Sequence, residues 1–277
     1  GATPSIEAHP FKRLHAAGLA HSDLSYNNVL IDPEGKNASI IDIDGLVVPG
    51  KFAPDVMGTP DFVAPEVIMT KHLPVKDPKR KLPSILTDRH ALSVLIYMYL
   101  LFRHPLKGGK MHDTDAQKDD ELAMGSKALF IEHSQDKSNI PNLNDFHAAE
   151  LPYIDINQMP YIILGPYLKE LFDRSFIDGL HNPQQRPTSN EWEAALVKTV
   201  DLLQPCKNTK CSHKWFVFDN KLSPKCPYCK TPYVAALPIL NFYSTRREGK
   251  YLSDNARLMV YNNQYLYKWH TNRIIHP

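Results

Sequence analysis

Hydrophobic positions along the chain repeat with two periods, and one continuous apolar run stands apart from both. That run, residues 91–102, has Ser93 as its single polar member. It falls short of the about 20 residues a membrane span needs and predicts a buried core helix over 88–102. Helical spacing of Leu168, Leu171, Phe172 and Phe176 predicts an amphipathic helix over 166–180. A Pro-containing break at 182–187 ends it. The next helix starts at Thr188, where Thr188-Ser189-Asn190-Glu191 fits a capping box. Its apolar face is Trp192, Ala195, Leu196, Val200 and Leu203. Residues 11–19 read as the end of a helix, and one further helix is expected near 119–132 within an irregular, polar stretch over 104–160. Two β-branched runs, 29–31 and 40–43, flank Asp32-Pro33-Glu34-Gly35, a hairpin pattern. Residues 49–65 read as a loop rich in Pro and Gly. Residues 233–277 are β-rich, with Asn262-Asn263 as the turn. Their aromatics Tyr261, Tyr265, Tyr267 and Trp269 read as sheet core rather than as a platform for nucleic-acid bases.

Composition narrows the class. Of 277 residues, 43% are hydrophobic and 22% charged, a folded globular balance. Thirty-two Lys and Arg face 30 Asp and Glu, a net charge of +2 that supplies no field to attract nucleic acid or a membrane surface. Neither is expected as a partner. The first residues lack a basic-then-apolar leader, so a cytoplasmic chain is expected. His104, His112, His133 and His147 lie far apart in polar stretches and read as surface residues. Residues 76–81 form a short basic run beside prolines and read as a solvated loop.

The chemistry concentrates early. In His21-Ser22-Asp23-Leu24-Ser25-Tyr26-Asn27-Asn28, a carboxylate precedes an amide by five residues, just ahead of a strand. The carboxylate can take a proton from an attacking hydroxyl, and the neutral amide oxygen can ligate Mg²⁺. Asp42 stands fourteen residues beyond Asn28, where a hairpin would bring it alongside as a second Mg²⁺ ligand. Asp and Asn also favour turns. Further along come Gly58-Thr59-Pro60-Asp61-Phe62-Val63-Ala64-Pro65-Glu66, then Asp88 at the start of the apolar helix, then Arg186.

In this order and spacing the set resembles the C-terminal lobe of the eukaryotic-type protein kinase fold, over roughly residues 11–203. His21–Asn28 is similar to the catalytic loop H-R-D-L-x-x-x-N, Asp42-Ile43-Asp44 to D-F-G, and Ala64-Pro65-Glu66 is A-P-E unchanged. The resemblance implies an α+β, mainly helical lobe over 1–203 that uses ATP and Mg²⁺ to phosphorylate protein Ser or Thr. Asp23 is then the catalytic base, and Asn28 and Asp42 bind the metal–nucleotide. Thr59 lines the acceptor site. His21, Asp88 and a Glu66–Arg186 ion pair hold the loops. Ser22 stands where the family has Arg, and Ser25 where it has Lys, so loop phosphorylation loses its grip and the transferred phosphate loses a cation. Asp44 replaces the Gly of D-F-G, either as a second acid near the metal or as a turn cap. No G-x-G-x-x-G loop and no V-A-I-K strand precedes residue 21, so the N-terminal lobe is expected elsewhere and activity is expected to require it. Asp42-Ile43-Asp44-Gly45 and residues 127–133 resemble a bacterial branch of the fold. That branch implies a phosphorylation triad with a von Willebrand-type protein and a PP2C-like phosphatase, in a tellurite-resistance or stress setting. Two other readings stay open: a small-molecule phosphotransferase of the aminoglycoside-kinase type, and a pseudokinase scaffold.

All four cysteines lie in two pairs, Cys206-x4-Cys211 and Cys226-x2-Cys229. Four thiolates in two tight turns suit tetrahedral Zn²⁺, and residues 204–232 resemble a zinc ribbon, with His213 as an alternative fourth ligand. A structural staple for a segment too small to hold its own core is the leading expectation. An interaction platform is the alternative. Residues 233–277 would be a separate, truncated β-rich segment.

Overall fold

The structure, a computed structural model, describes residues 5–32, 38–48, 58–145, 155–219, 222–234 and 236–271. The hairpin turn at 33–37, most of the 49–65 loop and His147 lie outside these. The elements are α1 (Ser5–Ala16), β1 (Val29–Ile31), β2 (Ala38–Ile40), α2 (Pro65–Thr70), α3 (Ile85–Leu101), α4 (Ala116–Met124), α5 (Gly165–Asp173), α6 (Ser189–Asp201), β3 (Leu203–Pro205), β4 (Trp215–Val217), β5 (Ile239–Arg247), β6 (Lys250–Met259) and α7 (Lys268–Thr271). The strands pair antiparallel as β1–β2, β3–β4 and β5–β6, so the chain mixes helices with small sheets. It divides into two units: residues 1–161 with 170–193, and residues 162–169 with 194–277.

The first unit is built around α3. Its sequence is apolar nearly all round because the helix is buried nearly all round. Leu92, Val94, Ile96, Tyr97 and Leu101 are fully enclosed, each contributing roughly 1.5–3 kcal/mol by leaving water. Tyr97 is the hub of an aromatic cluster, edge-on to Phe172 at 5.1 Å and to Phe130 at 5.7 Å. Phe172 in turn packs on Trp192 at 4.7 Å. The single polar member of the run is accommodated: Ser93 donates to the Arg89 carbonyl and lies 3.0 Å from Ser175 Oγ. Leu168, Leu171, Phe172 and Phe176 are all buried, as their spacing predicts. The helix that carries them passes at Arg174–Asp178 into one π-helical turn. The Thr188 box forms reciprocally: Thr188 N donates to Glu191 Oε2 and Glu191 N to Thr188 Oγ1.

Several expectations are corrected. The helix near 119–132 is α4, at 116–124. The second strand of the first hairpin ends at Ile40, and Ile43 is exposed. His104 is buried rather than on the surface. Its ring accepts from Leu106 N through Nδ1 (3.1 Å) and donates through Nε2 to the Asp61 carbonyl (2.9 Å). A polar stretch of sequence hid a histidine used to bond two backbone groups.

In the second unit, the tail hairpin turns at Glu248 and Gly249, upstream of Asn262-Asn263. Gly249 takes φ +74, which a residue with a Cβ resists. Asn262-Asn263 makes a separate turn, closed by Gln264 N donating to the Tyr261 carbonyl. Tyr265, Tyr267 and Trp269 therefore follow the sheet instead of filling it; Tyr265 is exposed, and Tyr267 stacks on Trp269.

Candidate active site and cysteine cluster

The loop between α1 and β1 carries Asp23. It is fixed at its start by an antiparallel bridge, Ala20 to Val47. The buried Asp88, in the first turn of α3, accepts from His21 N (2.8 Å) and contacts His15 Nε2 (3.1 Å). The His21 ring bonds the Ile41 carbonyl at 3.0 Å. His21 thereby ties the Asp23 loop to the segment leading to Asp42, and Asp88 ties both to the core helix.

Asp23 sits half-buried between two donors. Its Oδ1 accepts from Thr59 N at 2.6 Å and Thr59 Oγ1 at 2.8 Å. The Asn28 amide nitrogen donates to the Asp23 carbonyl at 2.7 Å and to Oδ2 at 3.3 Å. The preceding Ser22 has φ +58 and donates its hydroxyl to the Gly45 carbonyl. Gly58, at φ +92, lets the Thr59 segment approach. A Cβ there would meet the Ser22 carbonyl at 3.0 Å, tighter than nearly all real contacts. Ser25 is buried, and its hydroxyl caps the short turn Tyr26–Asn28.

Asp42 reaches the same end of the β1–β2 hairpin. Ile41 N donates to the Asn28 carbonyl at 3.0 Å, so Asp42 follows directly beside Asn28. Asp42 is exposed in a left-handed conformation, φ +57, which a β-carbon makes costly. Non-glycine residues held there often mark functional sites. Because the Asn28 nitrogen is spent on Asp23, its Oδ1 is left over. Among the described residues neither that oxygen nor the Asp42 carboxylate has a hydrogen-bond partner. Two uncommitted hard oxygens on adjacent backbone positions suit Mg²⁺. Asp44 lies exposed in the turn Ile43–Gly45.

Glu66 and Arg186 meet across 120 positions. The fork is bidentate, Nη1 to Oε1 at 2.8 Å and Nη2 to Oε2 at 2.7 Å. Arg186 also donates to the carbonyls of Gly179, Leu86 and Leu180. All five of its N–H groups are used, in a side chain with no exposed surface. The carbonyl partners carry no side-chain signal, so sequence reading finds the pair and misses the rest of the cage.

The four cysteine sulfurs lie within 4.8 Å of one another. Cys206 and Cys229 sulfurs are 3.5 Å apart, and those of Cys211 and Cys226 3.9 Å. Sulfurs at Zn–S distances of about 2.3 Å on a tetrahedron lie about 3.8 Å apart, so the cluster is compatible with zinc. Two turns deliver it: the connection between β3 and β4, and the turn closed by the Lys225–Pro232 bridge. Burial pushes the Cys206 thiol up to about 12, whereas hydrogen bonding with Thr231 draws Cys229 down to about 6. His213 is no part of the cluster; its ring stacks on Tyr228 at 3.6 Å. Phe216, Phe218 and Tyr233 pack against the sulfurs.

Residues 8–197 match the family described as "Protein kinase domain", and the chain belongs to the protein kinase family. It is similar to the death-associated protein kinase dapk-1 of Caenorhabditis elegans and to the death-associated protein kinase related protein of Drosophila melanogaster. Each is 33% identical over 107 residues, 37% of this chain. The matched stretch spans 7% of the first relative and 14% of the second.

Proposed function

We propose that this chain is the catalytic lobe of a protein Ser/Thr kinase followed by a structural zinc ribbon. The observation that carries the reading is the Asp23 carboxylate, held by Thr59 at one oxygen and by Asn28 at the other. In this reading an acceptor hydroxyl gives its proton to Asp23 as its oxygen bonds the γ-phosphorus of ATP. The bond to the bridging oxygen breaks, and ADP leaves with the electron pair. Asn28 Oδ1 and Asp42 would hold Mg²⁺, which neutralises charge on the phosphates. Thr59 positions Asp23 and marks the acceptor as Ser or Thr. His21, Asp88, Glu66 and Arg186 keep these loops in place.

A protein acceptor is supported by the surface beyond Thr59. An apolar cleft there is lined by Pro60, Val63, Val67, Ile68 and Met124, with Lys71 and Glu121 at its rim. An extended peptide fits such a groove better than a polycationic sugar does. The bacterial branch and its triad partners belong to this reading through the sequences of residues 42–45 and 127–133 alone. The scaffold reading has one observation in its favour. Ser22 and Ser25 are both spent on backbone bonds, so no cation stands beside Asp23 at those positions.

The discriminating experiment joins this chain to a lobe carrying a glycine-rich loop and a strand Lys, then supplies ATP labelled in the γ-phosphate. Mg²⁺-dependent label on protein Ser or Thr is the expected result. Label on an aminoglycoside but not on protein establishes the phosphotransferase. Nucleotide binding without transfer to either establishes the scaffold.

A further inference from the structure

The net charge of +2 conceals a division. Residues 1–203 carry 20 Lys and Arg against 27 Asp and Glu, whereas residues 204–277 carry 12 against 3. Such asymmetry between parts of a chain points to a polyanionic partner for the basic part. Most of the described cations there are uncommitted; Lys207 lies over the Tyr233 ring and Lys230 donates to the Pro227 carbonyl. Lys207, Lys210, Lys214, Lys225, Lys230, Arg247, Lys250, Arg257 and Lys268 are all exposed, and among the described residues none is in an ion pair. The three acids do not screen them evenly, since Asp219 and Glu248 are the exposed ones and Asp254 is half-buried.

The β5–β6 hairpin adds aromatic surface to this charge. Tyr243 pairs with Ser253 and Thr245 with Tyr251, so Tyr243 and Tyr251 lie on one face. They are 59% and 69% exposed. The opposite face carries Phe242, which stacks on His270; on the tyrosine face, Met259 at the base packs against the cysteine-centred core, and the two tyrosines occupy the exposed outer part. Arg257 stands opposite Asn241 near the base, on the tyrosine face, whereas Arg247 and Lys250 pair at the tip beside Glu248, where Lys250 alternates to the other side of the strand from Tyr251.

We infer that the tyrosine face of this hairpin binds single-stranded nucleic acid, with bases stacked on Tyr243 and Tyr251 and phosphates paired with Arg257 on that face and with Arg247 and Lys250 at the tip. An acidic peptide would use the cations and leave the flat rings without purpose. A duplex keeps its bases stacked on each other and cannot offer them to the rings. Rings on a sheet flanked by cations serve both halves of a single-stranded ligand. The inference rests on the second unit alone and is independent of the kinase reading.

The test is fluorescence anisotropy of a labelled oligo-dT and oligo-U of about 12 nucleotides with the 277-residue, zinc-supplied chain at several salt concentrations. Binding is expected to weaken with salt, with a log–log slope near −0.7 for each phosphate neutralised. Tyr243→Ala with Tyr251→Ala is expected to lower affinity at least about 10-fold and leave the slope unchanged. Arg247→Ala with Lys250→Ala is expected to reduce the slope by about 1.4. These side chains are exposed, and circular dichroism of each variant confirms folding. No binding at about 50 mM salt overturns the inference. So does an unchanged affinity in the folded tyrosine variant, or equal affinity for duplex, polyglutamate or anionic phospholipid vesicles.

Discussion

His104 shows how a buried polar residue ties stability to pH. Its Nδ1 accepts from Leu106 N and its Nε2–H donates to Asp61, which fixes the neutral tautomer. Protonating Nδ1 would set one N–H against another. Burial accordingly depresses its pKa from 6.5 to about 4, and His90, enclosed nearby in sequence, is pushed the same way. The unfolded chain binds protons below its ordinary value while the folded one does not, so stability falls as pH drops from 6.5 towards 4. The loss from His104 reaches about 3 kcal/mol at the low end. His104→Asn keeps an acceptor for Leu106 and cannot titrate. Its cost in urea unfolding is expected to be largest near neutrality and to shrink through that window; a cost independent of pH would show that His104 titrates alike in both states. That Asp23 and Asn28 meet was legible at this scale because their spacing is a chemical signature. His104 was not, since its partners are backbone atoms, which sequence does not distinguish.

At the scale of elements, two staples are expected to behave differently. Removing one partner from the Glu66–Arg186 fork strands a fully enclosed guanidinium. Glu66→Ala should therefore cost about 3–5 kcal/mol in the urea midpoint, and a cost near zero would mean that the carbonyl cage alone satisfies Arg186. The cysteine cluster should contain one zinc per chain by elemental analysis of purified protein. Chelation should raise hydrogen exchange across 205–232 while protection in α3 persists; disulfides and no zinc would contradict the assignment. The helices were legible because apolar periodicity is dictated by burial, as in α3 and α5. The tail was less so. Asn262-Asn263, a frequent hairpin dipeptide, predicts its turn, but the strands close at Gly249, where a left-handed backbone is available to a residue without a Cβ. Ring surface is usually buried, which points Tyr261, Tyr265, Tyr267 and Trp269 to the core, but the last three follow the sheet. A two-stranded hairpin has one face left over, and Tyr243 and Tyr251 occupy it.

The whole molecule joins a kinase-family unit to a basic, cysteine-centred one. No helix among the described residues is long and apolar enough to cross a membrane. The 277 residues contain neither a G-x-G-x-x-G loop nor a V-A-I-K strand. Phosphoryl transfer depends chiefly on positioning and electrostatics, so the 277-residue chain alone is expected to bind ATP weakly and transfer little, measured by calorimetry and by label incorporation. Addition of a nucleotide-covering lobe should restore both. The most direct test of the account is then the turnover of Asp23→Ala in that two-lobed protein. The account predicts kcat lower by about 10²–10⁴ with KM for ATP nearly unchanged; turnover equal to that of the unsubstituted protein would contradict it.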